Sequence, residues 1–355
     1  MTLENLGLNK KVKEVVSVED DIDTIARVIV EHKDRYVIQT AENIYQAEIT
    51  GGLRYSAESR TDLPAVGDWV RFTVYDDNAA IITELFPRYS SLNRQAVGKL
   101  GEKQIIASNV DIAFIMQAVG HDFNLNRLER YITICNNSSI RPVILLSKTD
   151  LISPEELATL TEKIKERIKN ISVYPVSNET HFGYDKLMEI FKTGDTYCIL
   201  GSSGVGKSTL ANNLLQSTKL KVNVISESSK KGRHTTSHRE LLILPEGGVL
   251  IDTPGMREIG MAGDSHDIEN TFNQIAELAR NCKFTDCQHI EEPGCAVLKA
   301  LDSGELDQAS YENYQKLKRE QAHFSRTIAE RRAKDKEQGK LYKRIQEEQR
   351  KRRDR

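Results

Sequence analysis

The sequence predicts an α/β core with a mostly parallel, doubly wound sheet, preceded by a small all-β barrel and followed by a mainly helical region. Three observations carry that reading. From Val110 onward, short apolar runs alternate with stretches of helical period, as a parallel sheet with crossover helices requires. Between Thr24 and Phe86, five short segments are separated by turn residues, the pattern of a small closed barrel. From Ser265 the pattern is helical, interrupted by three cysteines and a histidine crowded between Cys282 and Cys295.

A chain of 355 residues has room for two or three domains. We expect residues 1–92 to form the barrel, 93–263 the α/β domain and 264–355 the helical region. The net charge of −2 hides an asymmetry: Tyr311 to Arg355 holds 16 Lys and Arg against 8 Asp and Glu, whereas the rest nets −10. An acidic body with a basic tail points to contact with nucleic acid. No apolar run is long enough to span a bilayer, and the polar start MTLENLGLNKK lacks a signal-peptide pattern. An odd cysteine count with three cysteines clustered fits a metal site in a reducing compartment better than a disulfide framework. A cytoplasmic monomer with no membrane partner is expected.

The five barrel segments read TIARVIV, RYVIQT, NIYQAEI, DWVRFTV and AAIITELF, with breaks at Gly51-Gly52, Pro64, Gly67-Asp68 and Asp76-Asp77-Asn78. Their number and spacing suit an oligonucleotide-binding (OB) type barrel. Arg27, Arg35, Arg54 and Arg71 are candidates for RNA contacts, and Trp69, within a strand, is expected in the core. Arg88 to Lys103 reads as a basic connector without periodicity. In the α/β part, VDIAFIMQAV and RPVILL are expected as buried strands and ISVYPV as a third strand. LNRLERYITICNN is helical, and Ser153-Pro154 with Glu156 begins a second helix through a capping box.

The chemistry begins at Thr196 to Leu215. A short apolar strand runs into Gly201-Ser202-Ser203-Gly204-Val205-Gly206-Lys207-Ser208, and Thr209 opens a helical pattern. Strand, glycine-rich loop and helix form a phosphate-binding loop whose N–H groups and helix dipole cradle phosphate. Lys207 would reach the β- and γ-phosphates and Ser208 would ligate Mg²⁺. Downstream, a hairpin around Pro245 to Gly248 ends in Asp252-Thr-Pro-Gly255. Asp252 can hold Mg²⁺ through water, and the Gly255 N–H can meet the γ-phosphate. Between these lies Gly232-Arg-His-Thr-Thr236, where Thr236, preferred narrowly over Thr235, is the candidate Mg²⁺ ligand and γ-phosphate sensor.

Base choice is read from Ser147-Lys148-Thr149-Asp150. The Asp150 carboxylate accepts from guanine N1–H and N2–H₂, which adenine cannot offer, while the Lys148 stem lies along the base. Ser177-Asn178 would present backbone amides to guanine O6. These base-reading segments precede the phosphate segments instead of following them, so the domain is a circularly permuted P-loop GTPase domain. Cys282-x4-Cys287-x-His289-x5-Cys295 offers three thiolates and one imidazole, a closed set for one structural Zn²⁺. Cys135 and Cys198 read as core residues. Met256 stands where many GTPases carry the glutamine that orients water, so slow intrinsic hydrolysis is expected. His234 is the local candidate to position water, with Lys207 and Thr236 completing the catalytic set; Arg257 is a lesser candidate for transition-state charge.

The barrel, S-K-T-D, G-S-S-G-V-G-K-S, the H-T-T loop, D-T-P-G and the Cys/His cluster together resemble the ribosome small-subunit-dependent GTPase A (RsgA) family over nearly the whole chain. The resemblance implies GTP/GDP with Mg²⁺ and Zn²⁺ as cofactors. It also implies the maturing small ribosomal subunit and its ribosomal RNA as partners, with hydrolysis stimulated by the subunit. The family pattern has Asn or Thr where Ser147 stands, so a somewhat weaker grip on guanine is expected. The competing reading is an RNA-binding scaffold that senses GTP with little hydrolysis.

Overall fold

The computed structural model describes residues 1–16, 22–32, 35–95, 103–216, 240–252 and 266–325. A short helix α1 (Lys10–Val15), capped by the Asn9 side chain accepting from the Val12 N–H, precedes the barrel strands. These are β1 (Ile25–Glu31), β2 (Tyr36–Gln39), β3 (Ile44–Ile49), β4 (Trp69–Asp76) and β5 (Ala79–Leu85), with helix α2 (Gly51–Ser56) between β3 and β4. The strands run in the order β1-β2-β3-β5-β4, and β4 pairs back with β1 to close the barrel. All pairings are antiparallel except β3 with β5. The period-2 pattern sets the interior: Ala26, Val28, Ile38, Ala47, Val70, Phe72, Ala80 and Ile82 point inward and are buried.

The outer face of β1 and β4 is covered in turn. Leu3, Leu6, Leu8 and Val12 of the N-terminal segment pack on Ile25, Trp69 and Phe86. Trp69 is therefore core, as expected. Arg27 is not the RNA-facing residue that its charge suggested, because it is 0% exposed. Its guanidinium donates to the carbonyls of Leu6, Gly67 and Asn109 and stacks on Trp69. Burial lowers its pKa to about 10. A second correction concerns the connector after Arg88. There β6 (Ser91–Gln95) and β7 (Lys103–Ser108) pair as an antiparallel ribbon. Its polar strand hid the pattern, and the apolar partner run Ile105 to Ala107 lies just beyond.

The α/β part comprises β8 (Ile112–Ala118), α3 (Leu125–Asn137), β9 (Arg141–Ser147), α4 (Pro154–Arg167), β10 (Val173–Pro175), α5 (Tyr184–Met188), β11 (Thr196–Leu200), α6 (Lys207–Leu214), β12 (Glu240–Ile243) and β13 (Val249–Asp252). The sheet order is β10-β9-β8-β11-β13-β12, parallel except for β12, which forms the expected hairpin with β13. Alternate residues bury on opposite faces. Ala113, Ile115, Ile144, Leu146, Cys198 and Leu200 join one core with α3 and α4. Phe114, Met116, Val143, Leu145, Tyr197 and Ile199 join the other with α5 and α6. Burial on both faces explains why these strands read as continuous apolar runs. Helix α4 carries the expected capping box, and α6 begins at Lys207, two residues before the helical pattern read from sequence.

Among the described residues a single bridge, Val30 to Glu240, links barrel and sheet into one 11-stranded array. The helices α7 (His266–Thr271), α8 (Asn273–Ala279), α9 (Ala296–Asp302) and α10 (Gln308–Ser325) follow. On α10, Tyr314 and Leu317 are buried, with Tyr314 edge-on to Phe272 at 5.5 Å.

Candidate functional site

The base and phosphate segments gather at the C-terminal edge of the parallel strands, where open α/β sheets bind ligands. β11 ends in the phosphate loop. Gly201 has φ +150° and Gly206 φ +99°, and both are needed as glycine. A Cβ on Gly201 would lie 2.2 Å from the Met116 carbonyl oxygen, and one on Gly206 would lie 2.7 Å from Asn178 Nδ2. Ser203 and Gly204 at the loop tip are exposed, Val205 is buried beneath them, and Ser208 and Thr209 fall in the first turn of α6. The Lys207 ammonium donates to the carbonyls of Gly201 (2.8 Å) and Ser202 (2.7 Å), holding a positive charge at the loop.

Ser147, at the end of β9, is buried and its Oγ donates to the Val205 carbonyl at 2.8 Å. The short Ser147 side chain thus reaches the phosphate loop itself. Lys148 follows at φ +60°, turning the chain so that Thr149 is buried and Asp150 lies outside it. Ser177 Oγ donates to Asp150 Oδ1 at 2.5 Å, which orients the carboxylate. Ser177 Oγ also accepts from the Thr180 N–H, while the Ser177 N–H donates to the Phe182 carbonyl, closing a tight loop around Asn178.

Asp252 ends β13, which pairs directly with β11, so its half-buried side chain sits on the same edge as the phosphate loop. His234, Thr236 and Gly255 lie outside the described residues. Sequence reading missed Tyr131, Tyr184 and Asn213. Tyr131 of α3 lies beside Ser202, and burial raises its pKa. Tyr184 and Asn213 bond Asn178 and each other. Their only sequence signal is a polar group on a helix packed against apolar surface, which no motif marks.

The Cys282, Cys287, His289 and Cys295 ligand atoms lie within 4.8 Å of one another. Cys282 Sγ is 3.8 Å from Cys295 Sγ and 3.6 Å from His289 Nδ1, and Cys295 Sγ is 3.5 Å from that nitrogen. A tetrahedron with zinc–sulfur bonds of about 2.3 Å has edges of about 3.8 Å. The three separations among Cys282, His289 and Cys295 match such edges, and with Cys287 the donor set is compatible with a four-coordinate ion. Cys295 also caps α9 by accepting from the Leu298 N–H, and the Tyr311 hydroxyl of α10 donates to the His289 carbonyl at 2.6 Å. The cluster thereby ties two helices to one loop.

Residues 85–262 match the sequence profile of the family described as RsgA GTPase. A protein of Oceanobacillus iheyensis named small ribosomal subunit biogenesis GTPase RsgA 1 is 41% identical over 313 residues, covering 88% of this chain and 89% of its own. A Bacteroides thetaiotaomicron protein of the same name is 40% identical over 319 residues, covering 90% of this chain and 89% of its own. Among solved structures, YjeQ from Thermotoga maritima superimposes with a TM-score of 0.64 at 24% identity, covering 86% of this chain and 99% of its own. YloQ, described as a circularly permuted GTPase, gives 0.60 at 23% identity, with 86% and 96% covered. The two structures share the fold, and the sequence relatives carry the assignment further. Identity at that level over most of both chains, together with the matched profile, places this chain in the RsgA GTPase family.

Proposed function

We propose that this protein binds and hydrolyses GTP as a biogenesis factor of the small ribosomal subunit. The observation that supports this reading within the molecule is the Ser177 to Asp150 contact, which would hold that carboxylate for a guanine edge, while Ser147 bonds the phosphate loop. The names of its relatives supply the subunit.

In this reading the N–H groups of residues 201–209 cradle the phosphates, and Lys207 moves from the Gly201 and Ser202 carbonyls to the β- and γ-oxygens. Ser208, Thr236 and Asp252 would hold Mg²⁺, whose charge would offset that of the transferred phosphoryl group. Gly255 meets the γ-phosphate and His234 orients the attacking water. Lys148 and Thr149 shape the base pocket, Asp150 reads guanine N1 and N2, and the loop at Ser177 and Asn178 reads O6. Cys282, Cys287, His289 and Cys295 hold one structural Zn²⁺. The barrel, the zinc region and the basic tail meet ribosomal RNA, and the protein acts in the cytoplasm as a monomer.

Sedimentation with purified small subunits tests the assignment. Co-sedimentation is expected with a non-hydrolysable GTP analogue and should be lost with GDP. Equal association in both states would remove the nucleotide-controlled role.

A further inference from the structure

The base-reading loop after β10 and the phosphate loop after β11 belong to strands that are not neighbours, since β9 and β8 lie between them. One side chain nevertheless joins them. Asn178 Nδ2 donates to the Gly206 carbonyl at 3.0 Å. That carbonyl also accepts the first bond of α6, from the Leu210 N–H at 2.9 Å, so Asn178 grips the junction of phosphate loop and helix.

The orientation of this amide is determined by its surroundings. Asn178 Oδ1 accepts from the Tyr184 hydroxyl at 2.9 Å. The Tyr184 oxygen accepts from Asn213 Nδ2 at 2.9 Å, and the same Nδ2 donates to the Asn178 carbonyl at 3.2 Å. A hydroxyl has one proton, so a tyrosine that receives from Asn213 gives its own to Asn178 Oδ1 and leaves Nδ2 facing Gly206. Tyr184 is held flat against the His181 ring at 4.9 Å, and Asn213 sits in the last turn of α6, whose first turn carries Lys207 and Ser208. The ring of bonds therefore ties the guanine-reading loop to both ends of the helix that follows the phosphate loop.

We propose that Tyr184 and Asn213 are positioning residues for guanine nucleotides, acting through the Asn178 side chain to lock base-reading and phosphate-binding loops into one cradle. The inference rests on the GTP reading above and extends it: specificity for guanine comes from Asp150 together with a rigid link that fixes Asp150's loop system against the phosphates. Neither positioning residue need touch nucleotide.

The test is competition of GDP and ADP against a fluorescent GDP on the full chain with Mg²⁺, for wild type, Asn178→Ala, Tyr184→Phe, Asn213→Ala and Asn178→Ala/Tyr184→Phe. Tyr184→Phe and Asn213→Ala should each weaken GDP about tenfold, the cost of one partly buried hydrogen bond and its stranded partner, and leave ADP within about twofold. The GDP preference therefore shrinks. The double variant should bind GDP no more weakly than Asn178→Ala alone, because Tyr184 acts through it. Unchanged GDP affinity in both single variants, or losses that multiply in the double variant, would overturn the proposal. Equal loss of GDP and ADP would also overturn it, by showing a general loosening of the phosphate loop. If wild type itself fails to prefer GDP, the GTP reading is what fails. Asn213→Ala leaves the Tyr184 ring packing intact, so a folding defect in Tyr184→Phe does not block the test.

Discussion

Arg130 on α3 clasps Glu320 on α10 through two hydrogen bonds, at 2.5 and 2.6 Å. The next residue, Tyr131, lies beside Ser202 in the phosphate loop. One helix therefore touches the phosphate loop with one side chain and the C-terminal helices with its neighbours. Thr133 and Asn136 extend the contact by bonding Thr271 of α7 at 3.0 Å each.

Arg130→Ala should destabilise the protein by about 1 kcal/mol, since a two-pronged but partly exposed pair contributes no more than that. A double-mutant cycle with Glu320→Ala, read by urea unfolding, should return most of this as coupling energy. A coupling near zero would mean that the clasp contributes nothing to docking α10.

Deeper in the same seam, the Glu129 carboxylate accepts from Arg167 at 2.7 and 2.8 Å and from Asn313 at 2.6 Å. Burial nevertheless outweighs these partners, and its pKa is raised. A raised carboxyl pKa means that the folded state holds the proton more tightly than the unfolded chain. Its contribution to stability therefore grows as pH falls from above the folded pKa toward the ordinary glutamate range, and is lost as pH rises. Glu129→Gln should remove that slope. Thermal melts at stepped pH would show it as a wild-type minus variant difference that increases toward lower pH, the difference cancelling other carboxylates.

Asp150→Asn keeps the shape of the base loop but replaces an acceptor by a donor facing guanine N1–H or N2–H₂. GTP affinity should fall about a hundredfold, the loss expected for charge-assisted bonds to one carboxylate. Xanthosine triphosphate, with an acceptor at position 2, should bind the variant better than GTP does. Equilibrium binding of both nucleotides checks the reversal.

After gel filtration the wild type should carry about one zinc per chain and Cys295→Ser near zero, measured as metal per chain. The substitution should also lower the melting temperature, because structural zinc sites contribute folding energy outright. The buried Cys295 also caps α9, so α9 is the element expected to loosen first.

Strand runs and glycine spacing made the α/β order and the phosphate loop legible, because both obey local rules. β8 is buried at every position, and Gly201 and Gly206 are glycine for reasons of backbone contact. The barrel was legible for the same reason, through alternation at Ala26 and Val28 or Val70 and Phe72. Arg27 was misread because exposure is a tertiary property: its burial depends on carbonyls from Leu6, Gly67 and Asn109, which only the fold assembles. Tyr184 and Asn213 were invisible for a related reason, being 29 residues apart and meaning nothing until Asn178 lies between them. Ser147 was legible only as part of the base loop; that its Oγ donates to the Val205 carbonyl at 2.8 Å is a contact which only the fold assembles.

The most direct test of the account is phosphate release from GTP with and without purified small ribosomal subunits. The expected result is slow turnover alone, a rise of at least tenfold with subunits, and loss of that stimulation in His234→Ala while GTP binding is retained. Turnover that subunits leave unchanged would contradict the account and favour an RNA-bound scaffold that senses GTP without using its hydrolysis.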